Sequence, residues 1–103
     1  MTSSANVFGR RLRDARKRAA LTQEGLAAAA KIDEFSASAR ISQYETGKHI
    51  PQYEIAKNLA KALRVPVEYL YAGDDRTADL LLLWGRLTGT QKSAALDDLK
   101  QRF

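Results

Sequence analysis

Apolar residues recur at three- and four-residue intervals along most of this chain, and that spacing predicts α-helices. The first predicted helix runs from about Ser4 to Ala20, and its apolar face comprises Phe8, Leu12, Ala15 and Ala19. The second predicted helix, Gln23 to Lys31, is rich in alanine, which is a strong helix former. Thr22 is placed to cap it, because its hydroxyl can accept a hydrogen bond from the first turn.

The same periodicity predicts three more helices before residue 72. The third begins near Ser36 or Ser38 and ends before Gly47, which suits the left-handed conformation that terminates helices. The fourth and fifth span residues 52–63 and 67–71, with apolar residues repeated along one side of the fourth.

A polar segment, Gly73-Asp74-Asp75, separates these helices from the tail. Beyond it the pattern predicts a sixth helix from Thr77 to Leu87 and a seventh from Gln91 to Gln101, with Thr90 as the cap of the seventh. The sixth carries a run of leucines that wraps most of the way round, so one buried face cannot accommodate it.

The predicted fold class is therefore all-α, because no segment alternates with period two for long enough to form a strand. We expect a five-helix domain over residues 7–72. A flexible N-terminus, residues 1–6, precedes it, and two C-terminal helices, residues 73–103, follow it.

Positive charge is concentrated in the first predicted helix. The chain of 103 residues has a formal net charge of +5, and residues 1–20 hold six basic residues against one acidic residue. Basic and acidic residues balance in the remainder of the chain. Clustered positive charge favours a polyanion partner, with double-stranded nucleic acid the leading candidate. The alternative is an ordinary solvated helix face.

Composition argues against several other classes of protein. The chain has no cysteine and a single histidine, His49, so we expect no disulfide, metal site or other cofactor. No nucleophile–base set and no small-molecule site is evident, so an enzyme is not expected. The longest apolar run, Leu80 to Trp84, is far shorter than the roughly 20 residues of a membrane span. The first six residues lack the apolar core of a signal peptide, and we expect a cytoplasmic protein.

Four short blocks of sequence follow one another along the chain, at residues 7–16, 21–27, 41–51 and 59–70. Together they resemble the lambda-repressor-like (Xre) helix-turn-helix domain. The resemblance covers about residues 7–72 and implies a sequence-specific transcriptional regulator of bacterial or phage origin, whose third helix reads DNA. One departure is the connection before that helix, which is longer than usual by about four residues, Asp33 to Ser36. We expect Phe35 to tuck under this connection and anchor it.

The resemblance implies base-reading roles for Ser38, Ala39 and Gln43. The Gln43 amide can pair with both the acceptor and the donor of an adenine edge. Arg40, the strongest cation on the same helix, is a further candidate for a guanine or a phosphate.

Phosphate contacts are expected on both sides of this helix. The resemblance assigns one to Gln23, and the free amides and positive dipole end of a helix N-terminus agree with that role. Lys48 and His49 follow in the exit loop. The expected contributors on the first helix are Arg10, Arg11 and Arg13. For Arg16 and Glu45 the resemblance implies instead a structural ion pair between the first and third helices.

The two C-terminal helices have two interpretations, which can hold together. They fold back to enlarge the core, or they form a homodimer interface comprising Leu80, Leu83, Trp84, Leu87, Leu96 and Leu99. The preferred hypothesis is a repressor that binds an inverted-repeat operator as a homodimer. The alternatives are an antitoxin-type autoregulator that also holds a toxin partner, and a protein-interaction module without DNA binding.

Overall fold

Six α-helices and a 3-10 helix form the part of the chain that the computed structural model describes, namely residues 6–33, 35 and 37–103. The α-helices are α1 (Val7–Arg18), α2 (Gln23–Ala29), α3 (Ala37–Thr46), α4 (Tyr53–Leu63), α5 (Asp75–Trp84) and α6 (Gly89–Arg102). The 3-10 helix, Val67–Tyr71, stands where the fifth helix was predicted. The described residues contain no strand, so the all-α fold class is confirmed.

The first two helices are shorter at their C-terminal ends than the apolar periodicity predicts. Ala20 and Lys31 adopt left-handed backbone conformations, with φ of 58° and 59°, and a helix cannot continue through them. The N-terminal end of α2 is as predicted, because Thr22 Oγ1 accepts a hydrogen bond from the Gly25 amide at 2.9 Å. Ser4 and Ser36, proposed as a helix start and a cap, lie outside the described residues.

The boundaries of the two C-terminal helices also differ from the prediction. α5 begins two residues earlier than expected, because Asp74 caps it by accepting from the Thr77 amide at 2.9 Å. The cap of α6 is Thr88 and not Thr90. Its hydroxyl accepts from the Gln91 amide, and the Gln91 side chain accepts from the Thr88 amide in return. Such a reciprocal capping box satisfies two amides that the helix itself leaves free.

A single hydrophobic core joins the first four helices and the 3-10 helix. The largest fully buried side chains come from every one of these elements: Leu12, Leu26, Ile41, Leu59, Tyr69 and Leu70. Burial of apolar surface contributes about 25 cal/mol per Å², which makes this core the main source of stability. It fixes α2 and α3 relative to each other.

Glycine permits an unusually close contact between α1 and α3. A Cβ atom at Gly9 would collide with the Glu45 carbonyl oxygen and would lie 2.6 Å from that of Tyr44. Gly47 ends α3 with a φ of +80°, a conformation that favours glycine. The start of α1 therefore packs directly against the last turn of α3.

The C-terminal extension is only partly attached to the core. In α5, Ala78 is buried, and Leu81 and Leu82 pack against the core. No residue of α6 is buried. The interpretation that both helices fold back on the domain is therefore wrong for α6 and holds for one side of α5.

Candidate nucleic-acid interface

The third helix separates its side chains into an inward and an outward face. Ile41 and Tyr44 are buried in the core. Ser38 and Gln43 are half-buried, and Ala39 and Arg40 are exposed. The four residues predicted to read bases therefore lie on accessible parts of α3, and the opposite face of the same helix packs into the core.

A buried ion pair orients this helix. Arg16 Nε lies 2.6 Å from Glu45 Oε2, and Arg16 Nη2 lies 3.1 Å from Glu45 Oε1, so the pair predicted from the sequence is bidentate. Arg16 Nη1 also donates to the Leu21 carbonyl oxygen at 2.9 Å. The hydrogen bond with Glu45 is the main cause that raises the pKa of Arg16 above its ordinary value. The guanidinium therefore remains charged at neutral pH and links α1, the turn after it and α3.

Gln23 joins the same network. Its Nε2 donates to Glu45 Oε1 at 3.3 Å, which places the side chain between α2 and α3 and beside the Arg16 pair. An amide nitrogen carries two hydrogens, and one of them remains free for a second acceptor. Contact with Glu45 and contact with a phosphate are therefore compatible.

The structure corrects the role expected for Arg11. This residue is only 5% exposed. Its Nε donates to the Ala72 carbonyl oxygen at 3.0 Å, and its Nη1 lies 3.1 Å from Asp75 Oδ1. A guanidinium enclosed within the protein cannot reach a phosphate, so the predicted contact is wrong. The sequence could not distinguish it from Arg13, which is exposed on the same helix, or from Arg10, which is half-buried.

The exit loop after α3 carries two exposed basic residues. Lys48 and His49 are both accessible, and the His49 amide donates to the Gln43 carbonyl oxygen at 3.2 Å. That hydrogen bond fixes the loop against the end of α3. The predicted phosphate contacts from these two residues remain predictions, and their positions are compatible with them.

Phe35 does not anchor the lengthened connection. Its side chain is 96% exposed, so the expectation that it packs beneath the loop is wrong. The Phe35 amide donates instead to Asp33 Oδ1 at 3.3 Å, a local turn that organises the backbone without burying the ring. Glu34 and Ser36, which complete this connection, lie outside the described residues.

A depression of about 540 Å³ borders α3 on the side of the exit loop. Arg40 and Gln43 line one wall, and His49, Ile50 and Gln52 line the other. The sequence analysis did not identify Ile50 and Gln52, although both lie within four residues of Lys48 in the same loop. Ile50 is strongly exposed for an aliphatic residue.

Within the described ranges, no group of three or more histidine, cysteine or acidic side chains is arranged to hold a metal ion. None of the helices in that part of the chain is both long and apolar enough to cross a membrane.

Comparison with known proteins agrees with this geometry. A family model described as a helix-turn-helix domain matches residues 7–70, which span α1 to the 3-10 helix. A search of curated proteins gave no significant match. Among solved structures, the crystal structure of transcriptional regulator BswR is similar to this chain, with a TM-score of 0.80 and 41% sequence identity. That alignment covers 90% of this chain and 92% of the other, so it extends into the C-terminal helices.

Proposed function

We propose that this chain, which belongs to the helix-turn-helix family of DNA-binding transcriptional regulators, is a repressor that binds an inverted-repeat operator as a homodimer. The observation that carries the proposal is the polar outer face of α3, held in place by Arg16, Glu45 and the core behind it. A slim helix with a polar outer face fits the major groove of B-DNA. Repression follows if the bound protein blocks access of the polymerase.

Docking places α3 in the major groove. Gln43 reads an adenine through its amide, and Arg40 reaches a guanine or a phosphate. Ser38 adds a weakly selective hydrogen bond, and Ala39 contacts at most a thymine methyl. These roles are supported by the accessibility of the four side chains on one helix.

Phosphate contacts on either side of α3 hold the protein in register. The residues proposed for them are Gln23, Lys48, His49, Arg10 and Arg13. Phosphate contacts supply affinity and orientation but carry no sequence information directly. This set omits Arg11, because that side chain is enclosed within the protein.

Dimerisation uses the C-terminal extension. Leu80, Leu83, Leu96 and Leu99 are exposed, and Trp84 and Leu87 are half-buried beside them. Apolar side chains in such number on two neighbouring helices favour an interaction surface. An isolated helix of about 12–15 residues is marginally stable in water, so α6, which buries no residue of its own, gains stability from a partner. A second copy of the chain is the partner that an inverted-repeat site requires.

The proposal is tested by selecting binding sites from random duplexes with the purified protein. We expect enrichment of a palindrome whose half-site centres lie about 10 base pairs apart, or a multiple of that, because both α3 helices must face the same side of the duplex. Affinity should fall steeply with salt, since bound phosphates release counterions. Failure to enrich any palindrome would refute the proposal.

Two further outcomes separate the alternatives. If the protein shows no DNA affinity at any salt concentration, it is a protein-interaction module on this fold. An antitoxin-type regulator would instead co-purify in a fixed ratio with a protein encoded by a neighbouring gene. Mutation of Leu96 or Leu99 would then release that partner. A dimer in sedimentation experiments, without such a partner, agrees with the main proposal. A cytoplasmic location is part of it, since the operator must be accessible.

A further inference from the structure

Arg11 belongs to α1, but its hydrogen bonds reach the C-terminal end of the DNA-binding domain and the first helix beyond it. The two acceptors, the Ala72 carbonyl oxygen at 3.0 Å and Asp75 Oδ1 at 3.1 Å, both lie beyond residue 70, where the match to the family model ends. Ala72 precedes α5, and Asp75 is its first residue. One side chain therefore connects the helix-turn-helix domain to the start of the C-terminal extension.

The surroundings of Arg11 hold this connection in one geometry. The guanidinium carbon lies 5.9 Å from the centroid of the Tyr69 ring, and Tyr69 is itself fully buried. A buried charge is stable only while its hydrogen-bond partners stay in place. Movement of Ala72 or Asp75 away from Arg11 would therefore be unfavourable.

Two further contacts also hold α5 against the domain. Ala78, one turn into the helix, is buried in the core. At the end of the helix, a Cβ atom at Gly85 would lie 2.8 Å from Pro66 Cγ, so the backbone there runs directly against the loop before the 3-10 helix. Contacts at the start, middle and end of α5 fix its direction relative to the reading helix.

We propose that Arg11 is a positioning residue that sets which spacing of DNA half-sites the protein accepts. The inference rests on the homodimer proposed above. α5 carries Leu80 and Leu83 of the dimer surface, so a fixed α5 implies a fixed distance and angle between the two α3 helices. One added base pair moves a half-site by about 3.4 Å and turns it by about 35°. A rigid dimer cannot follow that change.

The test compares duplexes that carry the selected half-sites at the preferred spacing with duplexes that have one base pair more or fewer. For the wild type we expect binding about tenfold weaker at the altered spacings, a difference of about 1.4 kcal/mol. Arg11→Met keeps an apolar stem but removes both hydrogen bonds. It should reduce this spacing preference to about two- to threefold, while affinity for a single half-site stays unchanged.

Asp75→Ala is the second variant, because its exposed side chain can be removed with little risk to folding. It removes one of the two hydrogen bonds of Arg11 and should weaken the preference for half-site spacing in part. Asp79→Ala is the matched control: it removes the same charge from an exposed position of α5 that Arg11 does not contact, and should leave the preference unchanged.

The inference is overturned if the spacing preference of Asp75→Ala equals that of the wild type. The same holds for Arg11→Met if that variant folds. An equal relaxation in Asp79→Ala also overturns it, since any loss of charge on α5 would then suffice. If the wild type binds paired half-sites no more tightly than a single half-site, the homodimer itself is refuted. If the wild type binds paired half-sites more tightly than single ones, but with equal affinity at every spacing, only the role of Arg11 is refuted and the homodimer stands.

Discussion

Removing Arg16 should destabilise the domain far more than removing any exposed arginine of α1. In the folded protein its guanidinium makes two hydrogen bonds to Glu45 and a third to the Leu21 carbonyl oxygen. The side chains of Arg16 and Glu45 are 13% and 4% exposed. The substitution Arg16→Ala would leave the Glu45 carboxylate buried with one donor, the Gln23 amide at 3.3 Å.

The magnitude follows from this stranded carboxylate. Removal of one partner from a buried ion pair costs about 3–5 kcal/mol. Because Gln23 still solvates Glu45 and Arg16 retains some access to water, we expect the lower end of the range, about 3 kcal/mol. A loss of 1 kcal/mol lowers the melting temperature of a domain of this size by about 4–8 °C. Arg16→Ala should therefore lower it by about 12–24 °C.

The assay is denaturant unfolding of the wild type, Arg16→Ala and a matched control, Arg13→Ala. Arg13 lies on the same helix and carries the same charge, but its side chain is exposed. The control should change the free energy of unfolding by about 0.5 kcal/mol or less. Adding Glu45→Gln to Arg16→Ala should restore part of the lost stability, because the buried negative charge is then gone. Equal effects of Arg16→Ala and Arg13→Ala would refute the reasoning.

Three further predictions concern packing, pH and assembly. Gly9→Ala should lower the free energy of unfolding by about 1–3 kcal/mol, because the added Cβ meets backbone oxygens of α3. Gly89→Ala, where nothing lies within 4 Å, is its control and should be neutral or stabilising in the same unfolding assay. Hydrogen bonds from the Thr77 amide and hydroxyl lower the pKa of Asp74, so its contribution to stability is present above the ordinary carboxyl pKa and lost as pH falls through the lowered value. The difference in melting temperature between the wild type and Asp74→Ala should therefore narrow below about pH 4, and a constant difference would contradict this. If the proposed homodimer forms, Leu99→Asp should convert it to a monomer in sedimentation without lowering the melting temperature of the core domain. A variant that remains dimeric would remove Leu99 from the interface.

The helical pattern and the core could be predicted because amphipathic periodicity is a local property of the sequence. Leu12, Leu26, Ile41 and Leu59 all occupy the apolar faces that the spacing indicates, and all are fully buried. The ends of helices were less predictable. The left-handed backbone at Ala20 depends on how the chain turns to bring α2 onto the core, and alanine carries no signal for that conformation.

Some features of the site could likewise be predicted from the sequence, and others could not. The pairing of Arg16 with Glu45 was available from the family resemblance, because both belong to matching blocks. The burial of Arg11 was not, since one of its partners, Asp75, lies beyond the region of resemblance and the other, Ala72, is the last residue of that region. The exposure of Phe35 was missed because phenylalanine is usually buried, and the side chain is 96% exposed here.

The central claim is that α3 reads bases, and Gln43→Ala tests it most directly. The affinities of the wild type and this variant are measured on the selected operator and on duplexes with each base pair of a half-site substituted in turn. We predict that the variant loses preference at one position per half-site, with a cost of about 1–3 kcal/mol there, and keeps the wild-type preference elsewhere. A loss of affinity that is uniform across all duplexes would place Gln43 on the phosphate backbone and contradict the claim.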